Sequence, residues 1–418
     1  MNAITSELST ILAARAKARF DSRESAQFAG ESVVSWRQVT REELGLPLDR
    51  PIIMTGHQAG IWHAGIAEKF VRGAEIAALC GGALVHVVID HDTNDASLIA
   101  FPALVDGQLE RLMLERSPVG RGPNVLRRPI RTMRPERAHQ TPPSIESALQ
   151  EIESAVQGAF RRENLAMQMA HAANVLLGAR ARIDATVAAT SFARTSLAAA
   201  MRREFALMRG AYNHALEGQR IARLGVDELP FWRLDRADSS RLPLLSSDNT
   251  PNALLAPRAL ALTAIARMGA CDLFIHGTGG GKYDGAMEAW MSAVLKVDSQ
   301  QAIAPMTVVT ATRLAPLAQF IEPFEISATP RALSRLEQDP FADAGVTKAQ
   351  LLGRIVGSRL EKRAAFVVMR RAIEAARKQR AVEINALRAR LGANARALRT
   401  HALATDRTWP FPFSMTYT

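Results

Sequence analysis

The feature that most constrains this chain is a strand, a helix and a second strand placed within 40 residues. An apolar run at residues 51–54 is followed by a glycine-bearing turn and then IAEKFVRGAEIAALCGG. In that stretch Ile66, Phe70, Ile76 and Leu79 recur near helical spacing. Gly81 and Gly82 supply a C-terminal stop. The following ALVHVVID has the Val and Ile content and the length of a buried strand. Units of this kind build parallel sheets that take ligands outside the carboxyl ends of their strands. The turn after the first strand and the residues after the second are therefore expected to line one crevice.

The rest of the chain extends this pattern. Residues 144–220 are rich in Ala, Leu, Met and Arg with no Pro, which predicts several packed helices. DELPFWRLDRADSSRLPLLSSD reads as two short strands around a polar turn. A helix is expected at about 257–268, then a buried strand CDLFIH, a helix at 284–296 and a further strand in MTVVTA. The alternation returns after the helical stretch, so one α/β domain is expected to be interrupted by a helical segment. Residues 330–404 read as helical, with Ile373, Ala376, Ile384, Leu387 and Leu391 on a near-heptad stripe that Arg380 interrupts. The stripe fits either a coiled-coil seam pairing two copies or an ordinary amphipathic helix packed on the body. The tail TWPFPFSMTYT cannot continue a helix and is expected to fold back onto a domain surface. The expected segments are 1–142, 143–222, 223–328, 329–404 and 405–418.

With 48% apolar residues the chain is excluded from the disordered class, and its 418 residues allow about two or three domains. No apolar run approaches the roughly 20 residues of a membrane span. The opening MNAITSELSTILAARAKARF reads as an amphipathic helix without the apolar core and cleavage site of a secretory signal, which points to the cytoplasm. Cys80 and Cys271 sit in apolar contexts and read as inert core thiols. The net charge of +11 is uneven: residues 351–400 carry +10 and residues 110–137 carry +5, leaving the remainder at −4. Basic character therefore belongs to two segments. Phe366 is the one aromatic residue of 351–400, which disfavours stacking on single-stranded nucleic acid.

Three clusters could carry chemistry. TGHQAGIWHAG holds Gly56, Gly60 and Gly65 with His57 and His63, where free N–H groups at a helix start attract anions and the histidines add donors. IDHDTND places Asp90, His91, Asp92 and Asp95 at the end of the second strand. There a carboxylate could hold an amine or ribose hydroxyls, bind a metal, act as a base, or merely cap a helix. HGTGGGKYDG sets Gly277, Gly279, Gly280 and Gly281 before a helix, with Lys282 as a point charge, and resembles a phosphate-cradling loop. It is not a P-loop, because GxxxxGK[ST] is absent. Arg258 could reach a phosphate or carboxylate. His86 reads as a packed or edge strand histidine, and His139, His171, His214 and His401 carry no assigned role.

MTGHQAGIWHAGIAEKFVRGAEIAAL followed by VVIDHDTND resembles the N-terminal region of the bacillithiol-synthesis cysteine ligase family. Gly56, Gln58, Ala59 and Gly60 match its TGQQAG-type turn, and His91 with Asp92 match its later acidic group. The glycine-rich segment at 277–281 and NALLAPRALAL are similar to two further stretches of that family, and its helical coiled-coil element parallels residues 330–404. Three departures stand out: His57 replaces the usual Gln, the second glycine loop differs, and the chain is shorter. The resemblance implies an α/β fold with a Rossmann-like parallel sheet core, a helical insertion and a C-terminal helical or coiled-coil segment. It also implies ATP, with Mg²⁺, as cofactor and a reaction joining cysteine, through its carboxyl group, to the amine of a glucosamine-malate conjugate. In related nucleotidyltransferases an HxGH-type turn holds the ATP phosphates, a part that falls here to His63 and Gly65.

The reading that follows is a cytoplasmic ATP-using ligase acting on small molecules. His57 and His63 would stabilise phosphate, Asp90 and Asp92 would position the amino group or ribose with His91 a further catalytic candidate beside them, and the 277–281 loop with Lys282 would approach the nucleotide or product. Two rivals remain. One treats His57, His63, Asp90, His91 and Asp92 as a zinc or manganese site for hydrolysis; the other makes the basic helical arm a nucleic-acid or partner-binding surface.

Overall fold

The computed structural model describes residues 3–114, 121–131, 140–248, 253–298, 302–321, 330–341, 348–353 and 355–415. Part of the basic stretch at 110–137, with His139 and the expected boundary at 328, lies outside these residues. The chain divides into two compact units. The first comprises Met1–Pro102, Arg111–Ala315 and Arg407–Thr418, and the second Ala103–Glu110 with Pro316–Asp406.

The first unit opens with α1 (Ala3–Asp21), a small hairpin of β1 (Gln27–Phe28) and β2 (Glu31–Ser32), and α2 (Val33–Glu43). Its centre is an all-parallel five-stranded sheet. In chain order the strands are β3 (Ile52–Gln58), β4 (Ala83–Ile89), β7 (Ala185–Ala188), β11 (Leu273–His276) and β12 (Met306–Val308). Across the sheet they run β12, β11, β3, β4, β7. This is the 3-2-1-4-5 arrangement of a Rossmann-like sheet, and the order reverses between β3 and β11, where a crevice must open. Alternation along the strands divides the core. Ile53, Leu84, Leu273 and Ile275 pack under α1 and α3 (Ala64–Leu79), while Ile52, Met54, Val85, Val87 and Phe274 face α2, α6 (Ala189–Phe192), α7 (Ser196–Ala215), α8 (Ala259–Ile265) and α9 (Thr278–Leu295).

The βαβ reading holds in detail. Helix α3 ends as expected: Gly81 takes φ +63°, and the Gly82 N–H donates to the Ala77 carbonyl at 2.8 Å, a glycine-terminated helix end. The buried Asp272 carboxylate fixes the root of the sheet, accepting from the Ile52 N–H at 2.8 Å and from Arg41 Nη2 at 2.6 Å. In α1 the buried residues are Ser9, Leu12, Ala13, Ala16 and Arg19, whereas Leu8 and Ile11 stay exposed, so its buried stripe is not simply its apolar one.

Two expectations need correction. The stretch at 144–220 is not wholly helical: between α5 (Leu165–Leu177) and α6 it contributes β7, which pairs with β4 and forms one edge of the sheet. Four residues of Ala, Thr and Val between helices carry no strand periodicity, and only pairing with β4 makes them a strand. The strand β3 also runs on through His57 and Gln58, so Gly56 is a strand residue and the turn itself is residues 59–62.

Beyond the sheet, α4 (Pro143–Gly158) supports the C-terminal tail, whose Trp409, Phe411, Phe413 and Met415 are buried as expected. The Phe411 N–H donates to the Trp62 carbonyl at 2.6 Å. An antiparallel sheet of β10 (Leu254–Pro257), β8 (Glu228–Asp235) and β9 (Ser240–Leu245) completes this unit. A hairpin of β5 (Ile99–Val105) and β6 (Gln108–Leu114) carries the chain into the second.

The second unit is helical: α10 (Pro330–Gln338), α11 (Lys348–Gly353), α12 (Arg359–Gln379) and α13 (Ala381–Ala404). Arg380 ends α12, and its guanidinium binds Glu383 and the Pro340 carbonyl. The stripe residues Ile373, Ala376 and Ile384 are buried within this unit, where α10 lies against α13 and Glu337 pairs with Arg388 at 2.5 Å. Among the described residues no helix is long and apolar enough to cross a membrane.

Candidate functional site

At the switch point lies a cavity of about 830 Å³, toward the upper end of the roughly 300–1,000 Å³ of small-molecule sites. The ends of β3 and β11 form its floor, through Gly56, His57 and Gln58 on one strand and His276 on the other, with Gly277 directly after it. Two helix N-termini open into it. That of α3 is capped by His63, whose Nδ1 accepts from the Gly65 N–H at 3.1 Å; an acceptor Nδ1 leaves the imidazole proton on Nε2. That of α9 begins after Gly277 with no side-chain cap, and Thr278, Gly279 and Gly280 lie in the wall. The unmatched N–H groups and the helix dipole favour an anion at both places.

The lining is cationic. Lys69, Arg220, Arg241, Arg258 and Arg407 contribute to it, against Asp92 as the one carboxylate among its described residues. Lys69 is 2% exposed, and its ammonium donates to the Gly56 carbonyl at 2.6 Å. It has no carboxylate partner among the described residues, and burial pulls its pKa from 10.5 to about 7. Burial, and then the Lys69 charge, hold His57 down to about 3, so it stands in the site as a neutral imidazole. Behind it, Trp62 stacks on Phe70 at 4.9 Å, and both rings meet His86 edge-on. His86 is fully buried, is held to about 3 by that burial, and bonds Asn174 at 2.8 Å; of the packed and edge alternatives it is the packed one.

Asp92 is already engaged, accepting from Gln58 Nε2 and from Arg241 Nη1 at 2.9 Å. Burial raises its pKa, but the bonds from Gln58 and Arg241 outweigh that and hold it below the ordinary carboxylate value. The Arg241 and Arg258 guanidiniums lie over the Trp232 ring at 4.9 and 4.0 Å, and Arg258 also pairs with Glu228. His91 is 5% exposed in the wall; its Nδ1 has no hydrogen-bond partner among the described residues and lies 3.8 Å from Asp90 Oδ1.

The structure thus brings together Gly56, His57, Gln58, His63, Gly65, His91, Asp92, Arg258, Gly277, Gly279 and Gly280. Five expected residues lie outside the lining. Asp90, expected among the catalytic residues, is fully buried and holds Thr190 through its backbone N–H at 3.1 Å and its hydroxyl at 2.5 Å. Asp95 accepts from the Ser97 N–H and hydroxyl and pairs with Arg127. Gly60 takes φ +148° in the turn, Gly281 packs against Val308, and Lys282 is exposed. The segment at 277–281 is also not a loop: residues 278–281 form the first turn of α9. Three consecutive glycines read as a loop by propensity, but the helix that follows them is long enough to extend over them.

Sequence reading missed Lys69, Arg220, Arg241, His276 and Arg407. Signals existed for two of them: Lys69 falls three residues after Ile66 on the apolar stripe of α3, where a lysine is out of place, and His276 ends the expected strand CDLFIH and opens the glycine cluster. Among the described residues no three His, Cys, Asp or Glu side chains are placed to share a metal ion. Comparison with known proteins finds no family model that matches the chain and no matching curated protein.

Proposed function

We propose that this chain is a nucleotide-dependent ligase that joins the carboxyl group of an amino acid to the amine of a small acceptor in the cytoplasm. The observation that carries the reading is the switch-point cavity itself, with two long helices starting at it and five cationic side chains around it. Such a donor set fits a polyanion of the nucleoside triphosphate class, and Lys69 without a carboxylate partner awaits a negative group. Bound ATP would supply the activation of the carboxyl group. His63, with its proton on Nε2, would stabilise charge developing on phosphate, while the neutral His57 has its one proton turned to the Gln58 carbonyl. Mg²⁺ would arrive with the phosphates, since Asp92 is engaged by Gln58 and Arg241. Cysteine as the amino acid and a sugar-derived acceptor rest on the resemblance to the bacillithiol-synthesis ligases alone.

The hydrolase alternative has less support: four of its five residues line the cavity, but among the described residues no three are placed to share a metal ion, and Asp90 is committed to Thr190. The test of the ligase reading is calorimetric binding of ATP with product assay. His63→Asn keeps a capping oxygen for α3, so the fold should persist while ATP affinity and nucleotide-dependent product formation fall at least tenfold. Unchanged binding and rate would remove His63 from the mechanism.

A further inference from the structure

The mouth of β11 carries a second device that neither helix N-terminus explains. His276 ends the strand in the cavity wall, and its Nε2 lies 3.2 Å from Asp284 Oδ1. Asp284 is one turn and a half into α9, with a fully buried side chain, and its other oxygen pairs with Arg267. Arg267, itself 1% exposed, is fixed by the Ala304 carbonyl at 2.7 Å and by Glu288 at 2.6 Å. A carboxylate that pairs with a guanidinium accepts the hydrogen bond from the ring, so the imidazole proton sits on Nε2 and Nδ1 carries the lone pair. Nδ1 has no hydrogen-bond partner among the described residues and lies beside Gly280, a wall residue; a Cβ at Gly280 would come within 2.6 Å of it. One of the three glycines therefore leaves the imidazole approachable, a purpose different from cradling phosphate.

Resting on the ligase reading above, we propose that His276, oriented by Asp284 and Arg267, is the general base that takes the proton of the acceptor amine. The amine nitrogen attacks the carbon of the activated carboxyl group and the C–N bond forms. The bond from that carbon to the nucleotide-derived phosphate oxygen breaks, and its electron pair leaves with the phosphate. The ammonium proton passes to Nδ1, and Asp284 stabilises the resulting imidazolium until the proton returns to water. Base and orienting carboxylate within hydrogen-bond reach of each other is the arrangement such proton transfer requires.

The test separates activation from transfer in the full chain. Wild type, His276→Gln and His276→Ala are each given ATP, Mg²⁺ and the twenty amino acids, with either hydroxylamine or one of several primary amines (glucosamine, glycinamide, ethylenediamine) as acceptor. Hydroxylamine is largely neutral at pH 7 and needs no base. Gln at 276 can still donate to Asp284 but cannot take up the proton. Hydroxamate formation should stay within about threefold of wild type, while transfer to the primary amines falls about 100- to 10,000-fold, the usual worth of a positioned base. Amine transfer within threefold of wild type overturns the proposal, as does an equal loss of both products. A wild type that traps on hydroxylamine but on none of the amines carries no such base and overturns it too. A wild type that forms no hydroxamate with any amino acid removes the ligase reading and the base with it.

Discussion

Lys69 offers the sharpest check on the electrostatics of the cavity, because its effect is on stability and needs no substrate. Burial lowers its pKa from 10.5 to about 7. At about 1.36 kcal/mol per unit, the charged form costs the folded chain about 5 kcal/mol at pH 6. The folded pKa lies below the unfolded one, so between about 7 and 10.5 the unfolded chain binds more protons and stability rises with pH. The penalty is full below 7 and disappears above 10.5. Lys69→Met removes the titration and forfeits the hydrogen bond to the Gly56 carbonyl, at a cost of about 1 kcal/mol. In urea unfolding the variant should be the more stable protein at pH 6, by a few kcal/mol. Between pH 7 and pH 9 wild type should recover about 2 kcal/mol of that difference, as the linkage relation requires for a pKa near 7. Stability curves that run parallel over this range would mean that Lys69 keeps an ordinary pKa, and the argument for a buried charge awaiting an anion would fail.

The same group makes a binding prediction. At pH 8 Lys69 should be mostly neutral, so ATP binding should draw up to about 0.9 proton from solution as the ammonium is restored; calorimetry in buffers of different ionisation enthalpy reads this directly, and no uptake would place Lys69 away from the phosphates. Gly56 makes a structural one. A Cβ there would meet the Val87 carbonyl oxygen at 2.5 Å and Val87 Cβ at 2.9 Å, so Gly56→Ala should destabilise the chain by about 1–3 kcal/mol through strain between β3 and β4. A variant as stable as wild type in urea would show that the strands have room to part.

Much of the sheet was legible because its cause is local. The run at 51–54, the stripe of Ile66, Phe70 and Ile76, the stop at Gly81 and Gly82 and the run at 83–89 each follow from periodicity and backbone freedom, and β3, α3 and β4 formed where they were read. The strand β7 was not legible, since Ala185–Ala188 owes its conformation to β4. The site divides in the same way. His57, His63, His91 and Asp92 follow the strands and turn of one βαβ unit, so sequence proximity placed them at one crevice. Asp90 and Asp92 are two residues apart with the same chemistry, yet one is fully buried against Thr190 and the other reaches the cavity, because strand alternation breaks down where β4 ends.

The sequence by itself determined that the chain is α/β, that glycines and histidines lie at the end of a central strand, and where the basic helical segment falls. Those properties are short in range: hydrophobic period, turn chemistry and charge counts act over a few residues. Only the tertiary structure decided that β11 returns beside β3, and with it where the sheet reverses. That pairing brings His276 and the start of α9 opposite His57 and the start of α3, across more than two hundred residues of chain. The three-stranded antiparallel sheet likewise sets Arg241 on Asp92. Lys69 shows the difference most plainly. Its identity is in the sequence, but its pKa is set by the water that folding removes around it.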